Sequence, residues 1–213
     1  MPWDAACPGK GLTFSVLPLA ALGATMARLH GRSTMNIYEQ GLDKTAANFV
    51  ALSPTSFVER SAEVFGDLEA VVHGQRRYSW RETRDRAARL AAALRALGVA
   101  RGTTVSAMLH NTPEMVEAHY AVPALGAVLN TINTRLDAAL IAWQLDHCES
   151  AVVIADRELA PTVARALAIL REQHGRSPIV IDVCDSEYRD PGERIGSHEY
   201  EALLAAHAPL ARR

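Results

Sequence analysis

The chain has 213 residues, 49% of them hydrophobic and 22% charged, the composition of an ordinary soluble globular domain. A formal charge of −2 excludes a general electrostatic attraction to nucleic acid or anionic lipid. The three cysteines, Cys7, Cys148 and Cys184, are odd in number and widely spaced, so neither a disulfide framework nor a zinc site is expected. Cys148 and Cys184 stand beside apolar runs, where buried free thiols are common, and a reducing cytoplasm is the simplest compartment.

Residues 1–34 differ in character from the rest of the chain. The stretch 12–27 is apolar but interrupted by Pro18 and Gly23, too short and broken to span a bilayer. Lys10 ahead of it faintly resembles a signal peptide. The simpler reading is that Met35 is the true start and that 1–34 is a poorly ordered extension ahead of a domain over 35–213.

From Ser53 helix and strand patterns alternate. Ser53-Pro54 supplies a cap and a first-turn proline, and Phe57, Val58, Ser61, Val64 and Phe65 fall on one stripe, with Gly66 as the stop. Residues 69–73 and 76–79 read as two short strands, joined at Gly74-Gln75 by a type II′ turn. Ser79 and Glu82 make a capping box ahead of a helix carrying Ala87, Leu90, Ala91, Leu94 and Leu97 on one face, stopped by Gly98. Residues 105–109 form a strand. A helix opens at Thr112-Pro113 with Met115, Val116, His119 and Tyr120 inward, and Pro123 kinks or shortens it. Strands over 127–132, 151–155 and 179–183 are separated by helices marked by Leu136, Leu140, Ile141 and Leu145, then by Leu159, Val163, Leu167 and Leu170. Residues 185–196 are polar and loop-like, and 197–207 close with a last helix. Single helices between strands imply right-handed crossovers, hence an α/β fold with a mainly parallel sheet, flanking helices and an opening β-hairpin.

Open α/β sheets bind ligands outside the carboxyl ends of their strands. There stand His110, Asn111 and Thr112, then Asn133, Thr134 and Arg135, then Asp156. Asn111 and Thr112 read as helix caps, Asn133 to Arg135 as a polar turn, and Asp156 as a cap for the next helix. Arg76, Arg77, Arg81, Arg84, Arg86 and Arg89 cluster, with Glu82 and Asp85 interleaved and Glu82 four residues from Arg86; a solvated helix face is preferred over an anion-binding patch. His119 reads as a core or interface histidine. There is no GxGxxG after a strand, no GxxxxGK[ST], no GxSxG and no HExxH.

Several segments together resemble acyl-CoA synthetases of the AMP-forming, adenylate-forming superfamily: residues 35–42 (MNIYEQGL), 55–66, 71–80 (VVHGQRRYSW), 97–105 (LGVARGTTV, with Thr103 where that family usually has aspartate), 109–114 (LHNTPE) and, most specifically, 121–156. The similarity is strongest to medium-chain fatty-acyl or methylmercaptopropionate-type CoA ligases. It implies an amino-terminal portion of the large AMP-binding domain of an enzyme that adenylates a carboxylic acid with Mg-ATP and passes the acyl group to coenzyme A. That chemistry needs a glycine/serine/threonine phosphate loop with lysine, an acid for magnesium and ribose, and a lysine on a mobile lid. No such motif occurs in these residues. No catalytic, cofactor-binding or metal-ligating residue is therefore assigned, and Asn133 and Arg135, though matching a family motif, are read as structural. The expectation is a fragment inactive by itself and binding no cofactor, with no nucleic-acid partner and no transmembrane segment. The alternatives are an interaction module that complements a separately encoded carboxyl-terminal part, and a small independent nucleotide-binding domain.

Overall fold

A computed structural model describes residues 41, 43–50, 53–188 and 192–211. The extension at 1–34 and the resemblance at 35–40 lie outside them. The chain divides into two units, Met1–Ala51 and Leu52–Arg213. In the first, Asn48 Oδ1 accepts from the Thr45 amide at 2.7 Å, and Lys44 Nζ lies 4.5 Å from the centre of the Phe49 ring.

The second unit begins with α1 (Pro54–Val64), followed by the hairpin β1 (Glu69–His73) and β2 (Arg76–Ser79), and α2 (Trp80–Ala96). A parallel sheet is then laid down by β3 (Thr104–Met108), α3 (Pro113–Ala124), β4 (Val128–Thr131), α4 (Ala138–His147), β5 (Val152–Asp156), α5 (Ala160–His174), β6 (Ile179–Val183), β7 (His198–Glu199) and α6 (Tyr200–Ala206). The sheet order is β4-β3-β5-β6-β7, every pairing parallel.

Alternation along the strands feeds two cores. Val105, Ala107, Val152, Ile154 and Ile181 face α2, α3 and α6, whereas Met108, Val153 and Ala155 face α4 and α5. The expected fold class is the one found.

Local signals behave as written in the sequence. The Ser79 and Glu82 box closes, with Ser79 Oγ accepting from the Glu82 amide at 3.2 Å and Glu82 Oε2 accepting from the Ser79 amide at 2.8 Å. Gly98, at φ 91, ends α2 with the Gly98 amide on Arg95 O and the Val99 amide on Leu94 O, the paired bonds of a Schellman stop. Gly74 has φ 55 while Gln75 is not in the left-handed region, as a II′ turn requires.

Other expectations are corrected. In α1 the buried positions are Val58 and Ala62, while Phe57, Val64 and Phe65 face outward. The helix stops at Val64, and Gly66 serves close packing: a Cβ there would come within 2.6 Å of Ala62 O. In α3 the inward positions are Glu114, Glu117, Ala118, Ala121 and Val122; Met115, Val116 and Tyr120 are half-buried and His119 is exposed. Cys148 and Cys184 are half-buried free thiols. The segment 197–207 is not all helix, because β7 pairs with β6 before α6 begins. Asp182, wholly buried on β6, accepts from the Ile195 and Gly196 amides and pins the returning loop.

Candidate functional site

The chain leaves β3 toward β4 on one side and returns across to β5 on the other. Ligands of open α/β sheets bind outside the carboxyl ends at such a switch point. Here several of the protein's own charges meet at that edge. His110, just past β3, stands with Nε2 at 3.1 Å from Glu158 Oε2. Asp156, the last residue of β5, accepts from the Glu158 amide at 3.0 Å and so caps a short 3-10 turn, Arg157–Leu159, rather than α5 itself, whose N-cap position is Leu159. Burial raises the Asp156 pKa, which the Glu158 amide and His110 only partly offset.

Past β6, Asp185 meets the hairpin. His73 Nε2 lies 2.8 Å from Asp185 Oδ2 and Arg76 Nη1 lies 3.6 Å from Oδ1. Burial works to raise the Asp185 pKa, but the Glu187 amide, His73 and Arg76 outweigh it and hold it below the usual carboxylate range. Glu187 is packed against Gly74, where a Cβ would overlap its carboxylate. Arg76 also pairs with Glu114 in the first turn of α3, so the helix N-terminus faces a carboxylate of its own. Thr112 takes the N-cap position without a side-chain cap bond, and Asn133 Oδ1 accepts from the Arg135 amide at 2.9 Å in the expected polar turn.

A second set of charges lies between α2, α3 and α6. Arg86 Nε donates to Glu117 Oε1 at 2.6 Å, its other nitrogens donate to Glu201 at 3.0 and 2.6 Å, and the Tyr200 hydroxyl donates to Glu117 Oε2 at 2.6 Å. The Arg86 side chain is 16% exposed and that of Glu117 2%. Burial raises the Glu117 pKa against the pull of Arg86 and Tyr200. Tyr200 is raised well above its ordinary value by burial and by Glu117 beside it. For Arg86, burial opposes the charge, but Glu201 and Glu117 outweigh it and keep the guanidinium charged. Tyr78 links the sets, its hydroxyl 3.0 Å from Arg76 Nη2 and its ring centre 4.9 Å from the Arg86 guanidinium carbon.

This corrects the reading of the arginine cluster as a solvated face. Arg76 and Arg86 are enclosed, and every member has an acidic partner: Glu69 for Arg77, Asp67 for Arg81, Glu59 for Arg84 and Asp85 for Arg89. Glu82 is taken by its capping box, so the Glu82–Arg86 pairing is replaced by Glu117 and Glu201. The sequence reading missed Glu114 and Glu117. The available signal was their three-residue spacing on the side of α3 that also carries Ala118 and Ala121. His119, read as a core or interface histidine, is not in the core and sits at the surface with Nδ1 2.8 Å from Met115 O.

Chemically, the carboxyl edge is a clasp. Asp156, Glu158 and Asp185 make it acidic, His73 and Arg76 are engaged by Asp185, and Arg157 beside Asp156 has no carboxylate partner among the described residues; with no glycine-rich amide cradle in the sequence, the edge lacks the backbone donors that grip a nucleotide triphosphate. Among the described residues no three His, Cys, Asp or Glu side chains gather in a way that could hold a metal ion.

Comparison with known proteins places this scaffold. The chain is 39% identical over 175 residues to the peroxisomal acetate/butyrate–CoA ligase of Arabidopsis thaliana, covering 79% of this chain and 31% of that protein. It is 37% identical over 175 residues to an acetate–CoA ligase of Humulus lupulus, with the same coverage. Among solved structures, the benzoate CoA ligase from Burkholderia xenovorans LB400 superposes with a TM-score of 0.64 at 25% identity, over 76% of this chain and 30% of that one. The chain thus spans about a third of the length of the relatives it matches. Residues 58–208 match the AMP-binding enzyme family, and the chain belongs to that family.

Proposed function

We propose that these 213 residues are the amino-terminal part of an AMP-forming acyl-CoA ligase and that the chemistry requires residues outside them. In that reaction a carboxylate attacks ATP to give an acyl-adenylate and pyrophosphate, and coenzyme A displaces AMP. The observation that carries the reading is the 39% identity to an acyl-CoA ligase across nearly four fifths of this chain and under a third of that protein. The physical counterpart is a carboxyl edge that is acidic and has no glycine-rich amide cradle for phosphates. The same clasp weighs against an independent nucleotide-binding domain.

For the whole enzyme, the cofactors are ATP, magnesium and coenzyme A, and the substrate is an aliphatic acid. The sequence resemblance points to a medium-chain or methylmercaptopropionate-type acid. The plant relatives, named for acetate and butyrate, support the aliphatic class and extend it to shorter chains. Among the described residues no helix is long and apolar enough to cross a membrane. The reading keeps the cytoplasm as the compartment, although one of the relatives is named as peroxisomal.

The test is pyrophosphate release. The isolated 213-residue chain, with Mg-ATP, coenzyme A and acids from acetate to octanoate, is expected to release none above background. A single-chain chimera, with residues 35–213 replacing the matched part of the Arabidopsis ligase, is expected to release it. Turnover by the isolated chain, or a folded chimera inactive on every acid, would sink the proposal.

A further inference from the structure

Helix α1 has two apolar faces. Val58 and Ala62 pack inward, and Phe57, Val64, Phe65 and then Leu68 form a second stripe, 54%, 56%, 50% and 61% exposed. Phe57, Val64 and Leu68 are spaced i, i+7 and i+11, so the stripe runs down one side of the helix and into the turn beyond it. From those exposures the stripe presents roughly 400 Å² of surface, within the range of the largest apolar patch on a typical soluble monomer, which is often functional. A helix apolar on opposite sides is the pattern of an element held between two layers. The adjoining hairpin is a two-stranded sheet by itself, with Val72 56% exposed.

We infer that the outward stripe of α1, with the adjoining hairpin, is the surface on which the carboxyl-terminal two thirds of the ligase pack. The inference rests on the function proposed above and names the partner's seat. The relatives supply the material, since about two thirds of each lies outside the match. The ion pair of Arg81 with Asp67, 3.2 Å apart at the stripe's edge, gives the contact a polar rim. A second apolar exposure, Leu140 and Trp143 on α4, is the internal control: Trp143 is already stacked on His147 of the same helix, ring centres 4.9 Å apart.

The experiment is hydroxyl-radical footprinting read by mass spectrometry on the isolated 213-residue chain and on the chimera with the Arabidopsis remainder. Labelling of Phe57 and Phe65 is expected to be high in the isolated chain and to fall at least fivefold in the chimera, with Trp143 changing less than twofold. Equal labelling in both proteins overturns the inference. So does protection in the isolated chain that fades on dilution, which would mean a second copy. Protection at every dilution that disappears when residues 1–40 are removed also overturns it, by making the chain's own first residues the occupant. A chimera that fails to fold counts against it as well, because the fit of the remainder is what is claimed. Protection of Phe57 and Phe65 in a chimera that forms no acyl-adenylate would leave the surface standing and remove the proposed activity. As a separate check on the isolated chain, F57S/V64T is expected to lower binding of an apolar dye severalfold while shifting Tm by under about 3 °C, since exposed sites contribute little to stability. A larger loss of Tm would show that the stripe is already core.

Discussion

Under α4 and α5 the sheet is packed with Met108, Ile141, Leu145, Val153, Val163 and Leu170, nearly all apolar, whereas the opposite layer encloses Arg86, Glu117 and Tyr200 as well as its own aliphatic residues. The first layer holds together by excluded water and close packing. The second adds charges that are tolerable only as a set, because each one left alone would be buried without a partner. The apolar layer therefore permits gradual change. The charged layer fixes which helix meets which, since Glu117 on α3 is satisfied by residues on α2 and α6 together.

The comparison can be broken most severely at Glu117. Replacing it with alanine strands the Tyr200 hydroxyl and leaves Arg86 with Glu201 alone, and should cost about 3–5 kcal/mol in urea denaturation. A loss below 1 kcal/mol would mean that water already reaches the pair. In the apolar layer, L145A opens a cavity beneath a fully buried residue and should cost about 2–4 kcal/mol, depending on how far its neighbours collapse. Ser79→Ala removes the cap of α2 but leaves both layers intact, and should cost about 1 kcal/mol by the same measurement.

The smallest effect concerns pH. Asp185 has a folded pKa below its ordinary 3.8, so its contribution is present above that value and lost as pH falls through the lower folded one. Asp156 and Glu117 are raised by burial and act in the opposite sense, favouring the folded state as they take up protons. D185N should therefore flatten the acid limb of the stability curve below about pH 4. An unchanged acid limb would show that the contacts of Asp185 with His73 and Arg76 contribute nothing to the fold.

Legibility in the sequence followed the range of each interaction. The hairpin bounds, the Ser79 and Glu82 box and the Gly98 stop were readable because their partners lie within a few residues. The buried strands were readable from apolar runs. The inward face of α3 was misread because hydrophobicity pointed to Met115 and Tyr120, while Glu117 is held inside by partners 31 and 83 residues away. Likewise the topology rule led to His110 and Asp156 at the carboxyl edge. No local signal announced that a turn 112 residues earlier would bring His73 onto Asp185 at that edge. The single stripe read for α1 is split in the structure, with Val58 inward and Phe57, Val64 and Phe65 outward, since periodicity alone does not separate two apolar faces.

The central claim is a ligase scaffold that cannot grip nucleotide by itself. Titration calorimetry of Mg-ATP into the isolated 213-residue chain tests it most directly. The account predicts heats no larger than dilution up to millimolar nucleotide; a saturable one-to-one isotherm in the micromolar range would contradict it.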